Sequence, residues 1–193
     1  MSAAIKAVDG KHMVAVGDEG FYGAGDVDDC PRAQWWCNGS AGDWLGLLRL
    51  PGVDFASMHM YPDSFEMGRW GIGSEDDVAR GWVANHTLQA HAAGKPLLMG
   101  EFGHGAAGLA QHAKYANYTA AAAQAGADGW AVWMLAGLDD EDFPRPDWPS
   151  WWRGGDAQLQ VYCAQPGDPA PPDDGGAHDP HTCAVLAAAA TKL

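Results

Sequence analysis

Five side chains that could bind and process a sugar lie at or near the ends of apolar runs: Glu19, His59, Tyr61, Glu101 and Trp133. Glu101 ends a run that is almost wholly apolar, where a carboxylate is costly unless it has a partner or a chemical role. A carboxylate can attack or stabilise an oxocarbenium-like carbon. A phenol can orient it, an imidazole can hold a hydroxyl, and an indole can stack on a pyranose. The set therefore favours a carbohydrate-processing site.

Four apolar runs are predicted to form the strands that position these side chains. They are Met13–Val16, Val53–His59, Leu97–Phe102 and Trp130–Leu135. Their starts lie 33 to 44 residues apart, which is the length of one strand–loop–helix–loop unit. Alternation of strands and helices predicts a parallel sheet, and in such folds active sites lie at the carboxyl ends of the strands.

Helical patterns occur between and after these runs. Ser74 is a good N-cap with Asp77 three positions later, and it opens a helix that should end near Ala93. Further helices are predicted at Leu109–Ala125, more weakly at Trp151–Ala164, and at Cys183–Ala190, with a disordered C-terminus as the alternative to the last. We divide the chain into a domain of residues 1–164 and a tail of residues 165–193, rich in Pro, Gly and Asp.

Alternation along each strand predicts which side chains share a face of the sheet. The predicted inward sets are Met13, Ala15, Gly17 and Glu19; Phe55, Ser57, His59 and Tyr61; Leu97, Met99 and Glu101; and Gly129, Ala131, Trp133 and Leu135. Each set begins with small or apolar residues, and three of the four end in a large polar or ionisable group. This arrangement is typical of the inside of a closed barrel with a reactive mouth.

Several motifs together resemble one known family. Segments 53–63, 94–103 and 126–133 resemble the endo-β-1,4-mannanases of glycoside hydrolase family 5. Segment 12–23 resembles the fifth barrel strand of the plant and fungal branch, and segment 139–147 resembles the loop after the eighth strand. The resemblance covers about residues 3–162. It implies an α/β fold of the (β/α)8 TIM-barrel type, of which this chain would hold about strands five to eight with their helices.

The resemblance implies a role for each candidate residue. Glu101 would be the nucleophile of a retaining mechanism, with Tyr61 hydrogen-bonded to it and His59 beside it. Trp133 would be the stacking platform, and Glu19 would support substrate binding. The tryptophans that could line outer subsites, or only pack, are Trp35, Trp36, Trp70, Trp148, Trp151 and Trp152.

The sequence departs from the family at the acid/base. The family places this residue in an Asn-Glu dipeptide on the fourth strand, and no Asn-Glu occurs in the chain. Segment 1–9 resembles the end of the helix that follows that strand. We therefore expect the chain to begin inside helix four, to lack the acid/base and to hydrolyse nothing by itself, with Glu19 as a weak candidate replacement.

The sequence is also compatible with other functions. They are a β-1,4-glucanase or another β-glycanase of the same family, a non-catalytic carbohydrate-binding protein, and a truncated gene product without independent function. The expected partner is a mannan-type polysaccharide, and a full-length protein should be a monomer. We expect no cofactor and no metal.

Charge and hydropathy exclude some classes of partner. The net charge is −14, with 25 acidic against 11 basic residues, which argues against binding to nucleic acid or anionic membranes. No apolar run approaches the ~20 residues of a membrane span.

Cysteines and glycosylation motifs suggest a secreted protein. The four cysteines form two local pairs that predict the bridges Cys30–Cys37 and Cys163–Cys183, with four free thiols as the alternative. The chain has three asparagines, Asn38, Asn85 and Asn117, and each begins an N-glycosylation sequon. The start of the chain has no signal-peptide core, so we expect an export signal outside this sequence.

Overall fold

The structure, a computed structural model, describes residues 1–23, 42–69, 71, 73–106, 109–133, 135–136, 161–162 and 181–191. The helices are α1 (Ser2–Val8), α2 (Trp44–Leu48), α3 (Glu75–Ala92), α4 (Leu109–Ala125) and α5 (His181–Ala190). The strands are β1 (Ala56–Met60), β2 (Leu97–Phe102), β3 (Gly129–Trp130), β4 (Leu135–Ala136) and β5 (Val161–Tyr162). None of the described helices combines the length and apolar character needed to cross a membrane.

The central sheet is parallel, with the strand order β1–β2–β3. β1 and β2 pair from Ala56 with Leu97 to Met60 with Phe102, and β3 continues the sheet beside Leu98 and Met99. Helix α3 connects β1 to β2, and α4 connects β2 to β3. The sheet is the βαβαβ arrangement that the sequence predicts, and β2 has the predicted bounds.

The carboxyl end of β2 contains an irregularity that the sequence analysis missed. Met58 pairs with Met99, but the next residue, His59, pairs with Glu101, so Gly100 is the extra residue of a β-bulge. Met58 and Met99 are both fully buried. The predicted inward face of Leu97, Met99 and Glu101 is therefore wrong, because paired residues share a face and the bulge changes the alternation after Met99.

Helices α3 and α4 match their predicted bounds closely. Ser74 and Asp77 form a capping box at the start of α3, which satisfies two backbone donors that would otherwise lack partners. The two helices pack against each other. Large buried side chains lie in the core formed by the sheet and these helices: Met58, Met60, Trp82, Leu97, Met99, Phe102, Tyr115 and Tyr118.

The first predicted strand is not a strand in the structure. Residues 13–23 are irregular, although the Asp54 N–H donates to the Val14 carbonyl (2.7 Å) and the His59 N–H donates to the Glu19 carbonyl (3.3 Å). The segment therefore follows the edge of β1 without a regular ladder. These two separate hydrogen bonds are enough to bring Glu19 to the carboxyl end of β1.

Three other boundaries differ from the sequence prediction. β1 begins at Ala56 instead of Val53. The single strand predicted at Trp130–Leu135 is replaced by β3 and β4, and β4 pairs in parallel with β5. β5 also contradicts a continuous helix over Trp151–Ala164, whose other residues, apart from β5, lie outside the described part of the chain. The C-terminal helix α5 is confirmed, and it packs against α4. The division into residues 1–164 and 165–193 stays a prediction.

Candidate active site

Glu101 and Tyr61 meet at the carboxyl end of the sheet. The Tyr61 hydroxyl donates to Glu101 Oε2 across 2.5 Å, a short distance that is typical of a hydrogen bond to a carboxylate. Tyr61 directly follows β1 and is 9% exposed, whereas the Glu101 side chain is 30% exposed. One carboxylate oxygen is therefore fixed by a buried phenol while the group as a whole stays open to solvent.

His59 lies between two carboxylates. Its Nδ1 atom is 3.3 Å from Glu19 Oε1 and 3.5 Å from Glu101 Oε2. Both distances suit attraction between a protonated imidazole and a carboxylate. Neither contact has hydrogen-bond geometry, so Nδ1 has no hydrogen-bond partner among the described residues. Four of the five predicted site residues, Glu19, His59, Tyr61 and Glu101, thus lie together.

The negative charges around His59 favour its protonated form. Burial lowers the pKa of His59, but the side chain of Glu19, the charge of Glu101 and the charge of Asp18 raise it, and the net pKa is raised. Asp18 was not predicted. Burial raises the pKa of its carboxyl against the hydrogen bond from the Gly20 N–H. Asp18 directly precedes Glu19 in the sequence, and this adjacency is the signal that could have identified it as a site residue.

Two buried polar atoms at this site lack hydrogen-bond partners among the described residues. They are Glu19 Oε2 and His59 Nδ1. Buried polar atoms in native proteins are rarely left unpaired, so each exception asks for a ligand, a water or a functional explanation. A hydroxyl group placed between Glu19 and His59 could donate to the carboxylate and accept from the imidazole.

Trp133 reaches this end of the sheet through its backbone. Its N–H donates to the carbonyl of Phe102 across 2.9 Å, immediately after Glu101. The indole is half-buried and partly packed on the hydrophobic core. Its stacking role stays a prediction. The six tryptophans predicted for outer subsites lie outside the described residues.

Helix α3 contacts the backbone of the site through Trp82, a residue that the sequence did not single out. The indole Nε1 of Trp82 donates to the His59 carbonyl across 3.1 Å, and Trp82 is 5% exposed. This bond fixes the backbone of His59 from the helix side of the sheet. The apolar face of α3 identifies Trp82 as buried, but a sequence pattern does not show which carbonyl it reaches.

A second polar cluster, which we call the loop clamp, consists of Asp63, Glu75, His104 and Lys114. His104 Nδ1 accepts from the Ala106 N–H (2.9 Å), so its Nε2 donates to Glu75 (3.1 Å). Glu75 also binds Lys114 across 2.7 Å, and Asp63 accepts from the Gly105 N–H across 2.7 Å. The loop clamp joins the loops that follow β1 and β2 to the starts of α3 and α4.

Other predictions are tested only in part. Cys183 takes part in a disulfide, but its predicted partner Cys163 and the pair Cys30–Cys37 lie outside the described residues, so the pairings stay predictions. Within the described ranges, no group of three His, Cys, Asp or Glu side chains could hold a metal ion.

Comparison with known proteins gives consistent matches. The family described as "Cellulase (glycosyl hydrolase family 5)" matches residues 1–138. A protein from Aspergillus oryzae named "Probable mannan endo-1,4-beta-mannosidase A" is 38% identical over 99 residues, which are 51% of this chain and 23% of that protein. "Mannan endo-1,4-beta-mannosidase 3" from Oryza sativa subsp. japonica is 33% identical over 156 residues, covering 73% of this chain and 32% of that protein.

Solved structures also match. The endo-β-1,4-mannanase of Thermotoga petrophila superimposes with a TM-score of 0.71 and 28% identity, over 100% of this chain and 38% of that one. The chain thus spans about a quarter to two fifths of the length of these relatives.

Proposed function

The chain belongs to glycosyl hydrolase family 5, and on that premise we propose that it carries the nucleophile side of a retaining endo-β-1,4-mannanase site. The observation that carries the proposal is the Tyr61–Glu101 hydrogen bond of 2.5 Å at the carboxyl end of β2. Relatives named as mannan endo-1,4-β-mannosidases support the choice of mannan as substrate.

In the proposed first step, Glu101 attacks the anomeric carbon of a mannosyl unit and the leaving oxygen departs with the bonding electron pair. Tyr61 holds one oxygen of Glu101 and thereby leaves the other oxygen directed to the carbon. His59 and Glu19 bind hydroxyls of the sugar through the two buried atoms that lack a partner among the described residues, and Trp133 stacks on its C–H face.

The proposal includes the expectation that the acid/base is not supplied by this chain. A retaining glycosidase uses two carboxyl groups about 5–5.5 Å apart, one that attacks and one that protonates the leaving oxygen. Among the described residues, Glu19 and Glu101 are the carboxylates within 4 Å of the His59 imidazole, and both face the same Nδ1 atom. We assign Glu19 to substrate binding instead of proton donation.

An activated donor tests the nucleophile separately from the acid. Fluoride leaves without protonation, so 2-deoxy-2-fluoro-β-mannosyl fluoride should form a covalent ester with Glu101 of the 193-residue chain. Mass spectrometry of the peptides locates the adduct. An adduct on another carboxylate, or a folded chain that is not labelled at all, would contradict the proposal.

A second assay distinguishes a chain that lacks only the acid/base from a chain that lacks a working nucleophile site. We expect no reducing ends from galactomannan, but we expect added azide to convert 2,4-dinitrophenyl β-mannobioside to the β-glycosyl azide, because dinitrophenolate leaves without an acid and azide attacks without a base. Hydrolysis of galactomannan by the chain would show that the acid lies inside it, and Glu19 would be the first residue to replace. Binding of mannan oligosaccharides without reaction would select the non-catalytic alternative.

A β-1,4-glucan is the second candidate substrate, since the family description that matches residues 1–138 is a cellulase. The matching 2-deoxy-2-fluoro-β-glucosyl fluoride distinguishes the two. Faster labelling by the mannosyl donor supports the mannanase, and faster labelling by the glucosyl donor supports the glucanase.

Secretion is also part of the proposal. The disulfide at Cys183 and the three sequons support an oxidising compartment. Peptide mapping of protein secreted from a eukaryotic host should find Cys163 joined to Cys183, Cys30 joined to Cys37, and glycans on the sequon asparagines. Alkylation of all four thiols without reduction would contradict it.

A further inference from the structure

Three residues on one face of α3 make polar contacts outside the helix. We call Trp82, His86 and Gln89 the anchor stripe, because their spacing of four and three residues places them on one helix face. Trp82 binds the His59 carbonyl, and His86 Nε2 lies 2.8 Å from the Gly20 carbonyl. Gln89 accepts from the Tyr22 hydroxyl (3.1 Å) and the Trp44 indole (2.8 Å). The stripe thus reaches both segments that carry the site.

His86 is the central residue of the stripe, and it is fully buried. The rings of Trp82, Trp44 and Tyr22 surround it at centroid distances of 4.3, 4.7 and 5.2 Å. Burial lowers the pKa of His86 to about 4, so the imidazole is neutral near pH 7 and has one N–H. Since a buried imidazole is costly without hydrogen bonds, the acceptor of that single proton matters.

Two backbone carbonyls compete for the His86 proton. Nδ1 lies 2.7 Å from the Trp82 carbonyl, and Nε2 lies 2.8 Å from the Gly20 carbonyl. The Trp82 carbonyl is inside α3, where it accepts from the His86 backbone N–H in the ordinary helical pattern. The Nε2–H tautomer instead links α3 to the irregular segment that carries Glu19.

Gly20 fits tightly against His86. It has a φ of +90°, and a Cβ atom there would lie 2.9 Å from His86 Nε2 and 3.0 Å from Met58 Cβ. The carbonyl of the preceding residue, Glu19, accepts from the His59 N–H. Two consecutive carbonyls, those of Glu19 and Gly20, therefore contact β1 and α3, respectively, and fix the backbone from which the Glu19 side chain projects.

We propose that His86 is a positioning residue that holds the Gly20 carbonyl and so keeps the Glu19 carboxylate against the imidazole of His59. His86 does not touch the substrate. The importance of His86 for catalysis rests on the proposed function. The positioning of Glu19 by His86 can be tested without a substrate and without an active protein.

The tautomer of the unaltered chain is the first test. Nitrogen-15 NMR of histidine-labelled protein at pH 7 should show His86 protonated at Nε2 and unprotonated at Nδ1. Protonation at Nδ1 would overturn the proposal, because Gly20 would then receive no proton from His86.

The second test uses His59 as the reporter. The charged groups that face His59 are Glu19, Glu101 and Asp18. In folded His86→Phe, which keeps an aromatic ring without a donor, the pKa of His59 should fall in the same direction as in Glu19→Gln. His86→Gln, which keeps an N–H donor, should restore part of the difference. Thr87→Val is the matched control, because Thr87 is buried on α3 and its hydroxyl binds within the helix.

A double variant shows whether the effect passes through Glu19. Adding His86→Phe to Glu19→Gln should change the pKa of His59 no further. An additional fall in the double variant would overturn the proposal, since it would mean that His86 acts on His59 by another path, such as Asp18, which binds the Gly20 N–H. An unchanged pKa in folded His86→Phe would overturn it as well. If His86→Phe does not fold, the tautomer and the His86→Gln titration decide.

Discussion

The two polar clusters at the carboxyl end of the sheet differ in how completely their atoms are paired. In the loop clamp, no described buried polar atom of Asp63, Glu75, His104 or Lys114 lacks a partner. In the Glu101 cluster, which consists of Glu19, His59, Tyr61 and Glu101, the atoms Glu19 Oε2 and His59 Nδ1 have no hydrogen-bond partner among the described residues. Glu101 and His104 are three residues apart in sequence, so the contrast arises within one strand end and its loop.

The contrast separates two uses of polar residues. A network of paired, partly exposed polar side chains stabilises one arrangement of loops, whereas buried atoms without a partner can bind a ligand. On this basis, substitutions in the Glu101 cluster should change chemistry more than stability. Substitutions in the loop clamp should do the opposite.

Replacement of the proposed nucleophile, Glu101, should have the largest effect. Glu101→Gln keeps the size of the side chain but removes the attacking charge, so the rate of labelling by the mannosyl fluoride should fall by about 10⁴-fold or more. Mass spectrometry of timed samples measures the rate. The loop-clamp variant His104→Gln is the matched comparison, and a rate loss in it as large as in Glu101→Gln would break the contrast.

Removal of the Tyr61 hydroxyl should have the next largest effect. Tyr61→Phe deletes the 2.5 Å bond to Glu101, and a hydrogen bond to a charged group contributes about 1.5–3 kcal/mol, so labelling should slow by roughly 10- to 150-fold. Tyr115→Phe removes another buried hydroxyl as the control. Equal rates for Tyr61→Phe and the unaltered chain would show that the bond has no part in orienting Glu101.

His104→Gln should lower stability and leave the chemistry intact. His104 is 12% exposed and joins Glu75 to the Ala106 backbone, so loss of this geometry should reduce the free energy of unfolding by about 1–3 kcal/mol. Urea unfolding measures the change. If the free energy of unfolding is unchanged while labelling slows, the loop clamp is part of the site, and the division into two clusters with separate roles is wrong.

The pH dependence of stability should be the smallest effect. The pKa of His59 is raised in the folded protein, so its stabilising contribution is full below the unfolded pKa of about 6.5. That contribution is lost as pH rises through the higher folded value. Unfolding free energies measured from pH 6.5 upward should decline less in Glu19→Gln than in the unaltered chain. The exposed pair member Glu66 provides the control Glu66→Gln, which should keep the full decline.

The lower limit of that pH range is set by another histidine. The pKa of His86 is lowered to about 4, so its contribution is full above pH ~6.5 and is lost as pH falls toward 4. Measurements from pH 6.5 upward therefore isolate His59.

The sequence predicted the regular parts of the fold and four residues that lie together in the candidate site. The parallel order of β1, β2 and β3 and the bounds of α3 and α4 follow from apolar periodicity and from strong caps such as Ser74 with Asp77. Tyr61 directly follows β1 and Glu101 is the last residue but one of β2, and the carboxyl ends of neighbouring strands converge in a parallel sheet. These features depend on local signals, and local signals are readable in one sequence.

Features that depend on tertiary contacts were not predictable. Trp82 and His86 are buried helix residues by pattern, but their acceptors, the carbonyls of His59 and Gly20, lie on other segments. The segment before β1 is apolar enough to suggest a strand, yet it makes few backbone hydrogen bonds with β1. The inward face assigned to Met99 failed because strict alternation leaves out the bulge at Gly100, although a glycine inside a strand pattern is the usual signal for one.

The bulge at Gly100 allows one short strand, β2, both to pack apolar side chains in the core and to direct a carboxylate toward His59. With strict alternation, Glu101 would share the side of Leu97 and Met99, both fully buried, and an ionised carboxylate there would face apolar neighbours. The extra residue turns Glu101 to the side of His59 and returns Phe102 to the apolar side beside Met60. Core residues up to Met99 can therefore vary during evolution without reorienting the carboxylate. Conversely, an insertion or deletion at Gly100 would alter the reactive end of the strand while its packed end stayed in register.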